Sequence, residues 1–117
     1  LPVSGPFHCK LMKKATDIMS KEIEKLEFKN PKNTLISNVT GSEITSSSLL
    51  KDLLIKQIES RVRWRKSVML MIKSGVKQFI EIGPGKVLSS LIKRIDKNVK
   101  ASAINNEEDI KLININD

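Results

Sequence analysis

Residues 76–95 admit few folds. The first seven carry Phe79, Ile80 and Ile82, the apolar content of a strand buried in a sheet. Gly83-Pro84-Gly85-Lys86 follows at once and writes a tight turn. Beyond it Val87, Leu88, Leu91, Ile92 and Ile95 recur at helical spacing. Strand, glycine turn and helix make one βα unit, and residues 98–103 read as a last strand. A short helix follows, with Glu107, Glu108 and Asp109 near its positive end, as the helix dipole favours. The same junction invites a phosphate-binding reading. The Walker pattern fails, however: Ile80 stands where its first glycine belongs, and Val87 replaces the Ser or Thr that would hold magnesium. The glycine turn therefore reads as a strand–helix connector.

Upstream, residues 10–26 place Leu11, Met12, Ala15, Ile18, Met19, Ile23 and Leu26 at helical spacing, which predicts one buried face. Pro31 and its flanking asparagines make a loop, residues 34–39 read as a short strand, and Gly41-Ser42 turns the chain. A second helix is expected from a cap among Ser46–Ser48 to about Ile58, a third through Trp64, Val68, Met71 and Ile72 to Gly75. Strands and helices alternating from Thr34 onward argue for an α/β fold with a largely parallel sheet covered by helices.

Two residues stand out chemically. His8, the sole histidine, follows a turn written by Gly5 and Pro6, with residues 1–3 as the end of a strand. Imidazole takes and returns protons near neutrality. His8 is thus either a polar residue opening a helix or an acid–base group aimed by the turn. Gln57 falls seven residues after Leu50 and four after Leu53, on the face expected to be buried. There it needs hydrogen-bond partners, unless the helix end lets it reach water.

Composition sets outer bounds. With 21 Lys+Arg against 13 Asp+Glu the formal charge is +8, which favours acidic partners unless the lysines are only solvated helix faces. Arg61-Val62-Arg63-Trp64 could stack on nucleic acid, but one aromatic is a thin platform and Trp64 fits the helical core stripe better. No apolar run approaches the length of a membrane span, and residues 1–9 do not resemble a signal peptide. One cysteine, Cys9, cannot form an internal disulfide, which fits a reducing cytosol, so a cytoplasmic location is expected. No paired Cys or His stands at metal-ligand spacing. The first residues read as mid-element, so the chain reads as a piece of a longer protein.

Four segments together resemble one family. Pro2-Val3-Ser4-x-Pro6-x-His8 followed by Leu11-Met12, Asn38-Val39-Thr40-Gly41, Gln57 with Val62 and Trp64, and Glu81-Ile82-Gly83-Pro84-Gly85-Lys86-Val87-Leu88 occur in the order and spacing of the malonyl-CoA:acyl-carrier-protein transacylases. The last is the most specific. Arg61 stands where that family usually has proline, and Cys9 where serine is common. No Gly-x-Ser-x-Gly occurs anywhere in the chain.

The resemblance implies the C-terminal part of an α/β-hydrolase-like acyltransferase core. Residues 1–8 would close the ferredoxin-like small subdomain, and residues 9–117 would form the second part of the large one. It implies that a serine outside this chain carries malonyl from malonyl-CoA to the phosphopantetheine thiol of acyl carrier protein, in fatty acid biosynthesis and without a cofactor. By the same resemblance His8 is the general base and then acid. Gln57 would offer its backbone carbonyl to Nδ1, within about 3.2 Å. The implied partners are acyl carrier protein, malonyl-CoA and the upstream half of the same enzyme, with no nucleic acid and no membrane, and the fragment alone is expected to be inactive. The alternative is a small basic module binding an acidic protein or nucleic acid. A Cys9–His8 nucleophile pair is a weaker third reading, because adjacent side chains usually point apart and nothing here orients them.

Overall fold

The computed structural model describes residues 7–113. The strand end at residues 1–3 and the Gly5-Pro6 turn lie outside the described residues. The chain divides into two compact units, one running to Ser67 and the other beginning at Val68.

In the first unit a 3₁₀ turn at Lys10–Met12 leads into α1, Lys13–Lys25, which packs on α2, Ser47–Gln57. Ser46 caps α2 as expected, its Oγ accepting the Leu49 N–H at 3.2 Å. Asn30 Oδ1 accepts the Ser47 N–H at 2.8 Å, so the loop before α2 satisfies a second of its orphan donors. Lys51 Nζ donates to the Glu24 carbonyl at 2.7 Å and ties the two helices together. The apolar residues of α1 do not form one buried face. Ala15 and Ile23 are half-buried, whereas Ile18 and Met19 remain 66% and 47% exposed, as does Leu11 of the preceding 3₁₀ turn at 77%. Among the described residues α2 is the one neighbouring α-helix, and it covers only part of so wide an apolar surface.

The predicted strand at 34–39 is not one. Ile36 makes an isolated antiparallel bridge to Glu43, with the Ile44 N–H donating to Leu35 O at 2.8 Å and the Ser37 N–H to Ser42 O at 2.9 Å. The run folds back on itself through the turn over residues 37–42, and among the described residues Ile36 pairs only through this single bridge. Gly41 sits in this turn at φ +63, and a Cβ there would lie 2.8 Å from Lys66 Cδ. Ile44 and Leu53 are buried in this unit, as is Ser37 at 4% exposure. The helix α3, Trp64–Lys73, then runs from this unit into the next, and Gly75 follows it at φ +95.

The second unit is the expected βα unit followed by the last strand, and the two strands prove to be neighbours. β1, Gln78–Ile82, pairs in parallel with β2, Lys100–Ile104, from Gln78↔Lys100 to Ile82↔Ile104. The connecting helix α4, Val87–Ile95, packs on both strands. Phe79, Ile92, Val99 and Ala101 are buried, and α5, Glu107–Leu112, is capped by Asn106, whose side chain accepts the Asp109 N–H at 3.0 Å. Gly83 and Gly85 both have positive φ, at +139 and +89, the freedom this sharp connector demands. Among the described residues no helix is long and apolar enough to cross a membrane.

The turn at 37–42 makes a stability prediction. Gly41→Ala forces a left-handed alanine and pushes Cβ into the stem of Lys66, so unfolding should become easier by roughly 1–2 kcal/mol. Chemical denaturation checks this. Adding Lys66→Ala should recover only the part of the loss that comes from the close approach.

Candidate active site

The site begins with the end of α2. An α-helix leaves its last carbonyls without intrahelical donors. The Ile55 and Lys56 carbonyls are taken by N–H groups of residues 58–60 as the last turn tightens. Gln57, the final helical residue, offers its carbonyl outward, and His8 Nδ1 lies 2.8 Å from it across 49 positions of sequence. A carbonyl oxygen can only accept, so the hydrogen must reside on Nδ1. In the neutral ring the free lone pair is then on Nε2, the nitrogen left without this bond. The imidazole is exposed to its surroundings, and its backbone has φ +55, a left-handed conformation uncommon outside glycine. Such a conformation persists where the surroundings hold it, and here the Gln57 bond is one constraint that does.

The Gln57 side chain is half-buried and turns toward the 37–42 turn, where Asn38 Nδ2 lies 3.5 Å from its Oε1. The amide predicted to need a partner on the helix face therefore meets another amide. The Asn38 carbonyl accepts the Arg63 N–H at 2.8 Å, and Arg63 Nε donates to Val39 O at 3.0 Å. Two of the quoted segments, Asn38-Val39-Thr40-Gly41 and the run from Gln57 to Trp64, are thereby bonded to each other. Arg61, at the position of the usual proline, is exposed. Trp64 Nε1 is buried without a hydrogen-bond partner among the described residues. Cys9 is half-buried beside His8.

Sequence reasoning missed the work of Glu81. This half-buried carboxylate near the end of β1 accepts the Leu88 N–H at 3.1 Å and the Ser89 N–H at 2.8 Å, capping α4 from the preceding strand. The Ser89 hydroxyl lies 2.7 Å from the same carboxylate and 3.2 Å from the Ser102 carbonyl of β2. Burial works against the charged form of Glu81, but the Ser89 and Leu88 bonds together outweigh it and hold the carboxyl below the usual carboxylate range. The signal was a lone acid in an apolar strand just before a glycine turn and a helix. Asn105 Oδ1 meanwhile accepts the Gly85 N–H at 2.5 Å, fastening the connector to the end of β2. Among the described residues no cluster of His, Cys, Asp or Glu could hold a metal ion.

With this geometry in place, comparison with known proteins gives a consistent result. No protein-family model matches the chain. A solved acyl carrier protein S-malonyltransferase from Vibrio cholerae superposes with a TM-score of 0.86 at 43% identity, covering 97% of this chain and 37% of that one. A structure described as a type II PKS acyl-carrier protein in complex with its malonyl-transacylase matches at a TM-score of 0.84 and 37% identity, covering 95% and 36%. The fold is thus that of an acyl-transferring enzyme. The malonyl CoA-acyl carrier protein transacylase of Staphylococcus aureus strain MSSA476 is 43% identical over all 117 residues, which correspond to 38% of its length. Over its whole length the chain is thus similar to malonyl CoA-acyl carrier protein transacylases, and it spans somewhat more than a third of the length of this relative. These relatives lend no support to the basic binding module.

The Glu81 network predicts an acid sensitivity. A carboxyl whose folded-state pKa is depressed stabilises the fold above its unfolded pKa, and that contribution disappears as pH falls through the folded value. Thermal unfolding followed from neutral pH down through the carboxylate range should show a falling midpoint. Glu81→Gln should start lower and lose part of that pH dependence.

Proposed function

We propose that this chain is the C-terminal part of a transacylase that moves malonyl from malonyl-CoA to the phosphopantetheine thiol of acyl carrier protein, serving fatty acid biosynthesis in the cytoplasm and using no cofactor. On this reading residues 9–117 form the second part of an α/β-hydrolase-like core, and residues 1–8 close a ferredoxin-like small subdomain and carry the histidine loop. The nucleophilic serine comes from outside the 117 residues, since they contain no Gly-x-Ser-x-Gly. The observation that carries the reading is the 2.8 Å contact between His8 Nδ1 and the Gln57 carbonyl.

The chemistry follows from that contact. With its hydrogen on Nδ1, His8 presents an Nε2 lone pair that removes the serine proton as Oγ bonds to the malonyl carbonyl carbon. When the carbon–sulfur bond breaks, Nε2 returns the proton to the departing CoA thiolate. In the second half the carrier thiol gives its proton to Nε2 and attacks the acyl-serine, and Nε2 then reprotonates the serine. The base must become an acid twice per turnover. A neutral carbonyl fixes the ring as a triad carboxylate does, without the charge that would hold the imidazolium more tightly.

The exposed lysines have a place in this scheme. Lys10 stands two residues after His8 and Lys56 immediately before Gln57, and both are exposed. They would draw an acidic carrier toward the histidine. Lys13 and Lys25 are engaged by Asp17 and Glu22 of their own helix at 2.5 and 2.7 Å.

Two experiments test the proposal. In the transacylase containing this chain, His8→Ala should lower kcat/KM on the order of 10²–10⁴-fold. The isolated chain should form no malonyl-carrier above the buffer rate, and adding the upstream part should restore transfer. Robust transfer by the chain alone, or full activity after His8→Ala, would end the reading. For the lysines, Lys10→Glu with Lys56→Glu should slow carrier association at low salt, with the difference shrinking as ionic strength rises. Equal rates at low salt would mean these charges are only solvated.

A further inference from the structure

The carbonyl that receives His8 sits at the start of a short connector between two helices, and a backbone group in such a place is only as fixed as the connector. Residues 57–63 leave α2 at Gln57 and enter α3 after Arg63, and both ends of this run bond to a single residue. At one end Asn38 Nδ2 lies 3.5 Å from Gln57 Oε1, and at the other the Asn38 carbonyl accepts the Arg63 N–H at 2.8 Å. Asn38 is itself held. It lies half-buried in the turn closed by the Gly41 N–H donating to Ser37 O at 2.8 Å, with the Val39 N–H on Ser37 Oγ at 3.1 Å. Ser37 is 4% exposed, so the turn is rooted in the unit's interior. Lys66 Nζ, from the first turn of α3, donates to Thr40 O at 2.7 Å and adds a further tie.

We propose that Asn38 is a positioning residue for the histidine: by clasping both ends of the 57–63 connector it keeps the Gln57 carbonyl in line with Nδ1 and so fixes the tautomer with a free Nε2. The backbone half of the clasp is the short bond and is independent of side-chain identity. The amide half is long, yet it acts on Gln57 itself, the residue whose carbonyl must not rotate. Both side chains carry a donor and an acceptor, so the link can run in either direction provided the two amides are reversed together. A carboxylate at position 38 would keep it, accepting from the Gln57 amide, whereas an isosteric hydrocarbon would not.

The consequence for catalysis rests on the reading of His8 as the base, but the consequence for the ring does not. The chain's single histidine makes the ring directly visible: two-bond ¹⁵N–¹H correlation spectra of the ¹⁵N-labelled 117-residue chain report its tautomer without ambiguity. In the wild type the ring should be protonated at Nδ1. Asn38→Leu should move it toward the Nε2-protonated form, and Asn38→Asp should retain the wild-type pattern. Gln57→Ala, which keeps the carbonyl and the Asn38–Arg63 bond, should match Asn38→Leu, and the double variant should be no worse than either. If Asn38→Leu does not fold, as judged by the β1 and β2 amide signals, Gln57→Ala carries the decision. A wild-type tautomer in Gln57→Ala, or fully additive changes in the double variant, overturns the proposal.

In the complete transacylase, Asn38→Leu should lower kcat roughly 3- to 30-fold and shift the acidic limb of the pH–rate profile, leaving KM for malonyl-CoA within about twofold. A raised KM with unchanged kcat would make Asn38 a substrate-binding residue and overturn the proposal. Should His8→Ala prove fully active, the base assignment fails, while the tautomer spectra still decide whether Asn38 orients the ring.

Discussion

A helix that ends must leave carbonyls unbonded, and the arrangement around His8 is built on one of them. The Gln57 carbonyl can accept a bond from outside α2 because α2 stops there. It stops where it does because residues 58–60 tighten back onto Ile55 and Lys56, and the connector then runs to an anchor on the 37–42 turn. The location of the acceptor, the side the ring nitrogen presents and the tautomer of the imidazole all descend from this termination. The second unit uses the complementary end of a helix. The N–H groups that α4 leaves unbonded at its start are met by Glu81, one strand earlier.

Both devices place a polar group from elsewhere in the chain against a helix terminus, yet they differ in sign. At the C-terminal end the partner is a donor, and the ring nitrogen approaches the negative end of the dipole. At the N-terminal end the partner is an anion, and the dipole adds to the hydrogen bonds that keep Glu81 charged. The glycines of the connector between β1 and α4 let the chain turn tightly enough for the carboxylate to reach its own helix.

Much of this was legible in the sequence because it follows from short-range pattern. Periodicity found α1, α2, α3 and α4, the apolar run before Gly83 found β1, and Ser46 announced α2. The position of Gln57 on a buried stripe pointed to an amide in need of partners, and it has one in Asn38. What periodicity could not reveal were choices made by long-range hydrogen bonding. Residues 34–39 have strand-like composition, but the chain turns back at once and they pair only through one bridge among the described residues. The apolar residues of α1 suggested one buried face, whereas burial depends on how many neighbours arrive. Glu81 was quoted only as one letter of a signature. Its task depends on a helix that comes back to it seven and eight residues later.

That the histidine's partner is main chain rather than side chain has a genetic corollary. An acceptor made by an aspartate disappears with a single codon change, whereas an acceptor made by a peptide carbonyl is present whatever residue occupies position 57. Selection acting there can vary the side chain without ever deleting the group that orients the ring. Side-chain substitution surveys at position 57 would accordingly register only the loss of the tether to Asn38, never the loss of the acceptor itself. The vulnerability is displaced onto whatever governs backbone direction: the residues that end α2 and those that tether the connector beyond it.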